Sequence, residues 1–182
     1  MSDTQHTPGP WTLSAGRHIT TSSGVFYLSY GYEEGSGRSL FRDFCELDAN
    51  ARKLIVFAWH REVIEKAMIG LASFRPVCIV GGTSDEDRED AIDKFQNDPM
   101  TRIFIGNIKA AGTVITLTAA SDVVFLESSW TPNENYQAAC RAHRIGQKDG
   151  VLARVLCLEH SVDAIIQRVL VRKQNELVTL FG

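Results

Sequence analysis

The chain has 182 residues, 44% hydrophobic and 23% charged, with a formal net charge of -3. That length suits one well-cored domain with a small appendage, and the composition is that of an ordinary globular protein. The acidic balance excludes nucleic-acid binding driven by overall charge, although it leaves room for a local basic site. Residues 1–8 are polar and loosely patterned. From Pro10 to Tyr32 the runs WTLSAG, RHITTSSG and VFYLSYGY are separated by glycine and serine, which predicts a small antiparallel meander. Within it Phe26, Leu28 and Tyr30 alternate with smaller or more polar neighbours and give the last strand one face to bury. Glu33 to Ser39 reads as a glycine-rich loop. Leu40, Phe41, Phe44 and Leu47 then recur at helical spacing towards Arg52.

At Lys53 the pattern changes. KLIVFAW is a continuous apolar run of strand length, as found in strands buried on both faces of a parallel sheet. HREVIEKAMIGLAS follows as a helix, with Val63, Ile64, Ala67, Met68 and Leu71 on its inner side. VCIV is a second strand and GGTS a turn. Ser84 caps a helix to Asn97, with Asp87 completing an approximate capping box. TRIFIG, VVFLE and VLARVLCLE are three further strands. Pro132 opens the helix before the last of them, and Ser161 caps a final helix with Val162, Ile165, Ile166, Val169 and Leu170 as its stripe. Strands alternating with helices predict an α/β fold with a mainly parallel sheet and helices on both faces. The expected division is a β-meander and helix over 1–52 and the α/β domain over 53–182.

The four cysteines, Cys45, Cys78, Cys140 and Cys157, form no CxxC pair. No metal site is therefore expected, and the apolar surroundings of three of them suit buried thiols in a reducing compartment. The chain opens without a signal-peptide pattern and holds no apolar run of membrane length. An intracellular protein is expected, cytoplasmic in a prokaryotic or phage setting.

Ligands of such sheets meet the loops at the carboxyl ends of the strands. Here these are His60-Arg61, Gly81-Gly82-Thr83, the segment from Asn107 to Thr113, and Glu127 to Trp130. Close behind the last comes QAACRAHRIGQ, Gln137 to Gln147. On a continuing helix Gln137, Arg141 and Arg144 share one face. Two guanidiniums side by side repel each other, and a phosphate matches their planar forks. From Arg141 to Arg154 the chain carries Arg141, Arg144, Lys148 and Arg154 against Asp149 alone. His143 is expected to orient or pack rather than act as a base, and Trp130 to line the core or a cleft wall.

Taken in order, these blocks resemble the C-terminal, second RecA-like lobe of superfamily-two helicases of the Swi/Snf type, with the annealing-helicase branch nearest. KLIVFAWHREVIEKA is similar to that lobe's first strand and helix. VGGTSDEDREDAIDKFQ, IGNIKAAGTVITLTAASDVVF and QAACRAHRIGQ resemble later blocks, the last two being its motifs V and VI. The resemblance implies a RecA-like three-layer domain and assigns roles. Arg141 and Arg144 match arginines that reach the γ-phosphate of ATP, where such a finger contributes roughly 10³–10⁵ in rate in other phosphoryl transfers. Gln137 matches a glutamine beside them, and Gly112 a close backbone approach to the nucleotide. Lys109, Thr116 and Arg88 fall in segments that contact the DNA backbone. Ala139 and Cys140 depart from the family's acidic pair, and Ala111 and Val114 stand where glycine is common.

No GxxxxGK[ST] phosphate loop and no DExH pair occur in the 182 residues. These belong to the family's first lobe, which holds ATP with Mg²⁺. The resemblance thus implies half of a motor that translocates on double-stranded or branched DNA. It would be inactive as an ATPase until a P-loop lobe is supplied in cis or in trans. A non-catalytic module that binds DNA or another helicase is the alternative.

Overall fold

The computed structural model describes the backbone of residues 13–14, 18–20 and 25–32, then residues 52–110, 115–158, 165–170, 172–173 and 176. The helix expected before Arg52, the cap at Ser161 and the residues Gly112, Ala111 and Val114 lie outside these. Three short strands open the described structure, β1 (Leu13–Ser14), β2 (His18–Thr20) and β3 (Val25–Tyr32), paired antiparallel in turn. The α/β unit follows with β4 (Leu54–Ala58), α1 (Arg61–Gly70), β5 (Val77–Ile79), α2 (Asp85–Asn97), β6 (Ile103–Asn107), β7 (Asp122–Phe125), α3 (Pro132–Ala139) and β8 (Val151–Leu158).

All of these strands join one sheet in the order β1-β2-β3-β8-β7-β4-β6-β5. From β3 to β5 every pairing is parallel, including β3 on β8 with Val25 opposite Val151. The meander therefore continues the sheet of the α/β unit.

The run Leu54–Ala58 is buried at every position, because helices cover both faces. Its alternate residues divide between two cores. Ile55 and Phe57 pack with Ala91 and Phe95 of α2 and with Ala138 and Ala139 of α3. Leu54, Val56 and Ala58 pack with Ile64 and Ala67 of α1. The result is the three-layer, RecA-like α/β arrangement. Each large side chain so buried contributes about 1.5–3 kcal/mol relative to exposure. Phe57 meets Phe104 and Phe125 at ring-centroid distances of 6.4 and 5.5 Å, and Phe95 meets Phe104 at 5.7 Å. Gly106 makes that cluster possible, since a Cβ there would stand 2.9 Å from Phe104 Cε1 and 3.2 Å from Phe57 Cε1.

Helix α2 starts as its sequence predicts, with the Asp87 amide donating to Ser84 Oγ at 3.1 Å. The box closes differently, for the Asp87 carboxylate accepts the Ser84 hydroxyl at 2.6 Å. Asp85, Glu86 and Asp87 in its first turn favour the positive end of the helix dipole. Residues 165–170 are helical, but the expected inner stripe is not seen whole. Ile165 is exposed while Gln167 is buried, donating to Ser128 Oγ at 2.6 Å. A partner for the amide outweighs the apolar pattern there. Cys78 and Cys140 are free thiols and only half-buried.

Candidate functional site: a polar crevice and an arginine turn

Strand β4 lies between β6 and β7, so the chain leaves it towards one side and returns on the other. Such a reversal opens a crevice at the carboxyl ends of the strands. Side chains from three loops meet there. Glu127, just past β7, accepts the backbone N–H groups of Trp59 and His60 through Oε2 at 3.0 and 2.8 Å. Its Oε1 meets His60 Nδ1 at 2.8 Å. Asn107, the last residue of β6, donates from Nδ2 to the Trp59 carbonyl at 2.6 Å. Its Oδ1 accepts the amides of Lys109 and Ala110 at 2.9 and 3.3 Å. Lys109 Nζ then sits 4.7 Å from the Trp59 ring centroid, a cation–π contact that holds an exposed ammonium in place.

Of the residues expected to face DNA, Lys109 is exposed and Thr116 half-buried, on the two described arms of the loop after β6. Arg88 braces the same loop from α2, donating from Nη1 to the Ala110 carbonyl at 3.3 Å. The fold thus gathers Lys109 and Arg88 around one backbone segment. Gly112, between the arms, lies outside the described residues.

The arginine segment corrects the sequence reading. Helix α3 ends at Ala139, so Arg141 and Arg144 do not share a helical face with Gln137. The Arg141 and Ala142 amides reach back three residues, to Ala138 and Ala139, and the Arg144 amide reaches only to Ala142. The Gln147 amide closes a turn on Arg144 at 2.9 Å. Gly146 within it has φ 104, the left-handed region that a side chain rarely adopts. Buried Ala138, Ala139 and Ala142 anchor this turn in the core.

The turn still carries both arginines, three residues apart. Arg141 is 8% exposed, and burial pushes its guanidinium below the usual value, with the neighbouring Arg144 charge adding to the shift. An arginine stays protonated in a protein, so this environment raises the energy of the charged group and an approaching anion lowers it. Phosphate oxygens fit that requirement. Gln137, by contrast, is exposed on α3, His143 is exposed, and Trp130 is exposed beside the turn before α3 rather than in the core.

Sequence reasoning placed Asn107 and Glu127 in the ligand-facing loops without giving them roles, and it missed Trp59 as part of the frame. A carboxamide ending one buried strand and a carboxylate just past another were the available signal for such roles. It also missed Ser129 and Asn135. The Ser129 amide donates to Asn135 Oδ1 at 2.8 Å and its carbonyl accepts Asn135 Nδ2 at 2.9 Å. Ser129 Oγ donates to the Glu134 carboxylate and accepts the Thr131 amide. This pair fixes the entry to α3 in place of a side-chain cap from Thr131, which makes none. Among the described residues, no cluster of three or more His, Cys, Asp or Glu could hold a metal ion. No helix among them is long and apolar enough to cross a membrane.

Comparison with known proteins gives a consistent set of similarities. The helicase conserved C-terminal domain matches residues 39–146. The SWI/SNF-related matrix-associated actin-dependent regulator of chromatin subfamily A-like protein 1 of Drosophila melanogaster is 37% identical over 128 residues, covering 69% of this chain and 17% of that protein. The Homo sapiens DNA annealing helicase and endonuclease ZRANB3 is 37% identical over 129 residues, 70% of this chain and 12% of that protein. A solved structure, the C-terminal part of the Fun30 ATPase domain, aligns with a TM-score of 0.70 at 27% identity, over 75% of this chain and 45% of that one. The chain therefore spans only a small part of its curated relatives.

Proposed function

The chain belongs to the helicase conserved C-terminal domain family, as a C-terminal lobe of the Swi/Snf type, and we propose that it is the second motor lobe of a DNA translocase. In this reading Arg141 and Arg144 meet the γ-phosphate of an ATP that a P-loop lobe holds with Mg²⁺, in cis or in trans. The observation that carries it is the arginine turn: two arginines three residues apart on one tight turn, Arg141 buried and Arg144 half-buried. Charge spreading onto the equatorial oxygens of a transferring phosphoryl group is what such a pair stabilises. Gln137, exposed on α3, is the outer member of this group, and Gly112 belongs to the loop that approaches the nucleotide. Lys109, Thr116 and Arg88 lie in segments that meet phosphates of double-stranded or branched DNA without reading sequence.

Few cations and a net charge of -3 make DNA binding by this lobe weak and steeply salt-dependent. The 182 residues alone are expected to show no DNA-stimulated ATPase, and to gain it when a P-loop lobe is fused or added. Robust turnover by the chain alone would overturn the reading. Arg144→Ala is expected to fold normally, judged by circular dichroism, and to lower turnover of the assembled pair by roughly 10³ or more. Ala139, fully buried where the family carries an acidic residue, favours a second reading as a regulatory module that binds DNA or a helicase. Unchanged turnover with Arg144→Ala would select it.

A further inference from the structure

Gln147 closes the arginine turn, and its carboxamide does more than end a motif. Nε2 lies within reach of three carbonyls, Ala120 at 2.7 Å, Ala142 at 3.2 Å and Thr118 at 3.3 Å. Oε1 accepts the amides of Lys148 and Asp149 at 2.9 and 3.0 Å. One half-buried side chain thus uses its donors and its acceptor to join residues 118–120, residue 142 and residues 148–149. A second carboxamide holds the same loop from the other side. Gln96 of α2 donates to the Thr116 carbonyl at 3.2 Å and to Thr118 Oγ1 at 3.3 Å, and accepts the Ala119 amide at 2.8 Å.

The backbone leaves little slack between these points. The Leu117 amide donates to the Arg141 carbonyl at 2.9 Å, and the Gln147 amide to the Arg144 carbonyl at 2.9 Å. Ile115, Leu117 and Ala120 are buried, so residues 115–120 are packed against the core as a unit. A displacement of residues 115–120 must be shared by the backbone that carries both arginines.

We propose that Gln147 is a positioning residue that transmits a shift of the DNA-facing loop, through residues 115–120, to the Arg141–Arg144 turn. This rests on the reading of Lys109 and Thr116 as DNA-side residues and of the arginines as the nucleotide side. DNA bound at the loop then presets the arginines for ATP. Gln96 acts as the fixed wall of α2 against which the loop is held.

The test is amide hydrogen exchange of the full chain with and without a short random-sequence DNA duplex at low salt. In the wild-type chain, duplex is expected to slow exchange in residues 107–120 and also in 141–149. Gln147→Glu keeps the length and the acceptor but offers the three carbonyls no donor. It is expected to retain the slowing in 107–120 and lose it in 141–149, where exchange without DNA becomes about tenfold faster, the scale set by one hydrogen bond. Gln96→Ala, which leaves the bridge intact, retains the slowing in both segments. Should the Glu variant lose its ellipticity, Gln147→Ala removes the bridge without adding a charge and gives the same readout. Slowing of both segments in a folded Gln147 variant, or of the loop alone in the wild type, overturns the proposal and leaves the DNA-side reading standing. Slowing nowhere in the wild type overturns that reading, and the proposal with it.

Discussion

The two ends of the central sheet use charge differently. At the amino ends of the strands, Asp122 is 5% exposed and is met by Arg154 at 2.9 Å and by Arg52 at 3.4 Å. Lys53 nearby donates to the Phe95 and Asp98 carbonyls and so closes the end of α2. At the carboxyl ends, Glu127 gathers backbone amides and His60 at a half-exposed position. Opposite charges matched in a buried place hold strands together. One end pairs buried opposite charges and the other presents a polar frame to water, and the same strands connect them.

This contrast is breakable by substitution. Asp122→Ala should have the largest effect on stability, about 3 kcal/mol, because it withdraws a carboxylate from the nearly buried Arg154. Urea unfolding at neutral pH measures it, and a loss below about 1 kcal/mol would show that this pair does not hold the amino end. Glu127→Gln at the other end should cost only about 1 kcal/mol, since two backbone amides keep an acceptor and water reaches His60. A loss equal to that of Asp122→Ala would erase the distinction between the two ends.

The smallest expected effect concerns acid. The Met100 amide and then the Thr101 hydroxyl, bonded to Asp98, hold its carboxyl below the usual value. The stabilisation from a depressed carboxyl is complete above its unfolded value and is lost as pH falls through the folded one. Melting temperatures below about pH 4 should therefore fall less steeply for Asp98→Asn than for the wild type. Parallel acid limbs would assign the acid sensitivity of the amino end to other carboxylates.

Most of the architecture was readable because burial on two faces demands unbroken apolar runs. KLIVFAW, TRIFIG and VVFLE announced β4, β6 and β7 in that way, and Ser84 announced the start of α2. Helix α3 was harder. Gln137, Arg141 and Arg144 keep a helical spacing, which extended the expected helix through Arg144. The chain instead tightens after Ala139, and the Arg141 carbonyl accepts the Leu117 amide, a bond to a distant loop that no local pattern records. The stripe at Ile165 failed for a related reason, because Ser128 offers Gln167 a buried partner.

The sequence by itself determined the α/β class, the strands, and the presence of two arginines in a motif-like segment with no P-loop alongside. Spacing and residue type suffice for these, because they depend on which side chains must leave water and which must stay charged. Only the tertiary structure decided how the arginines come together, through a turn anchored by alanines and strapped by Gln147. It also decided that Glu127 and Asn107 frame the crevice and that Trp59 steadies Lys109. Each of these is a hydrogen bond or ring contact between residues far apart in the chain, and its energy exists only once the sheet has set their loops side by side.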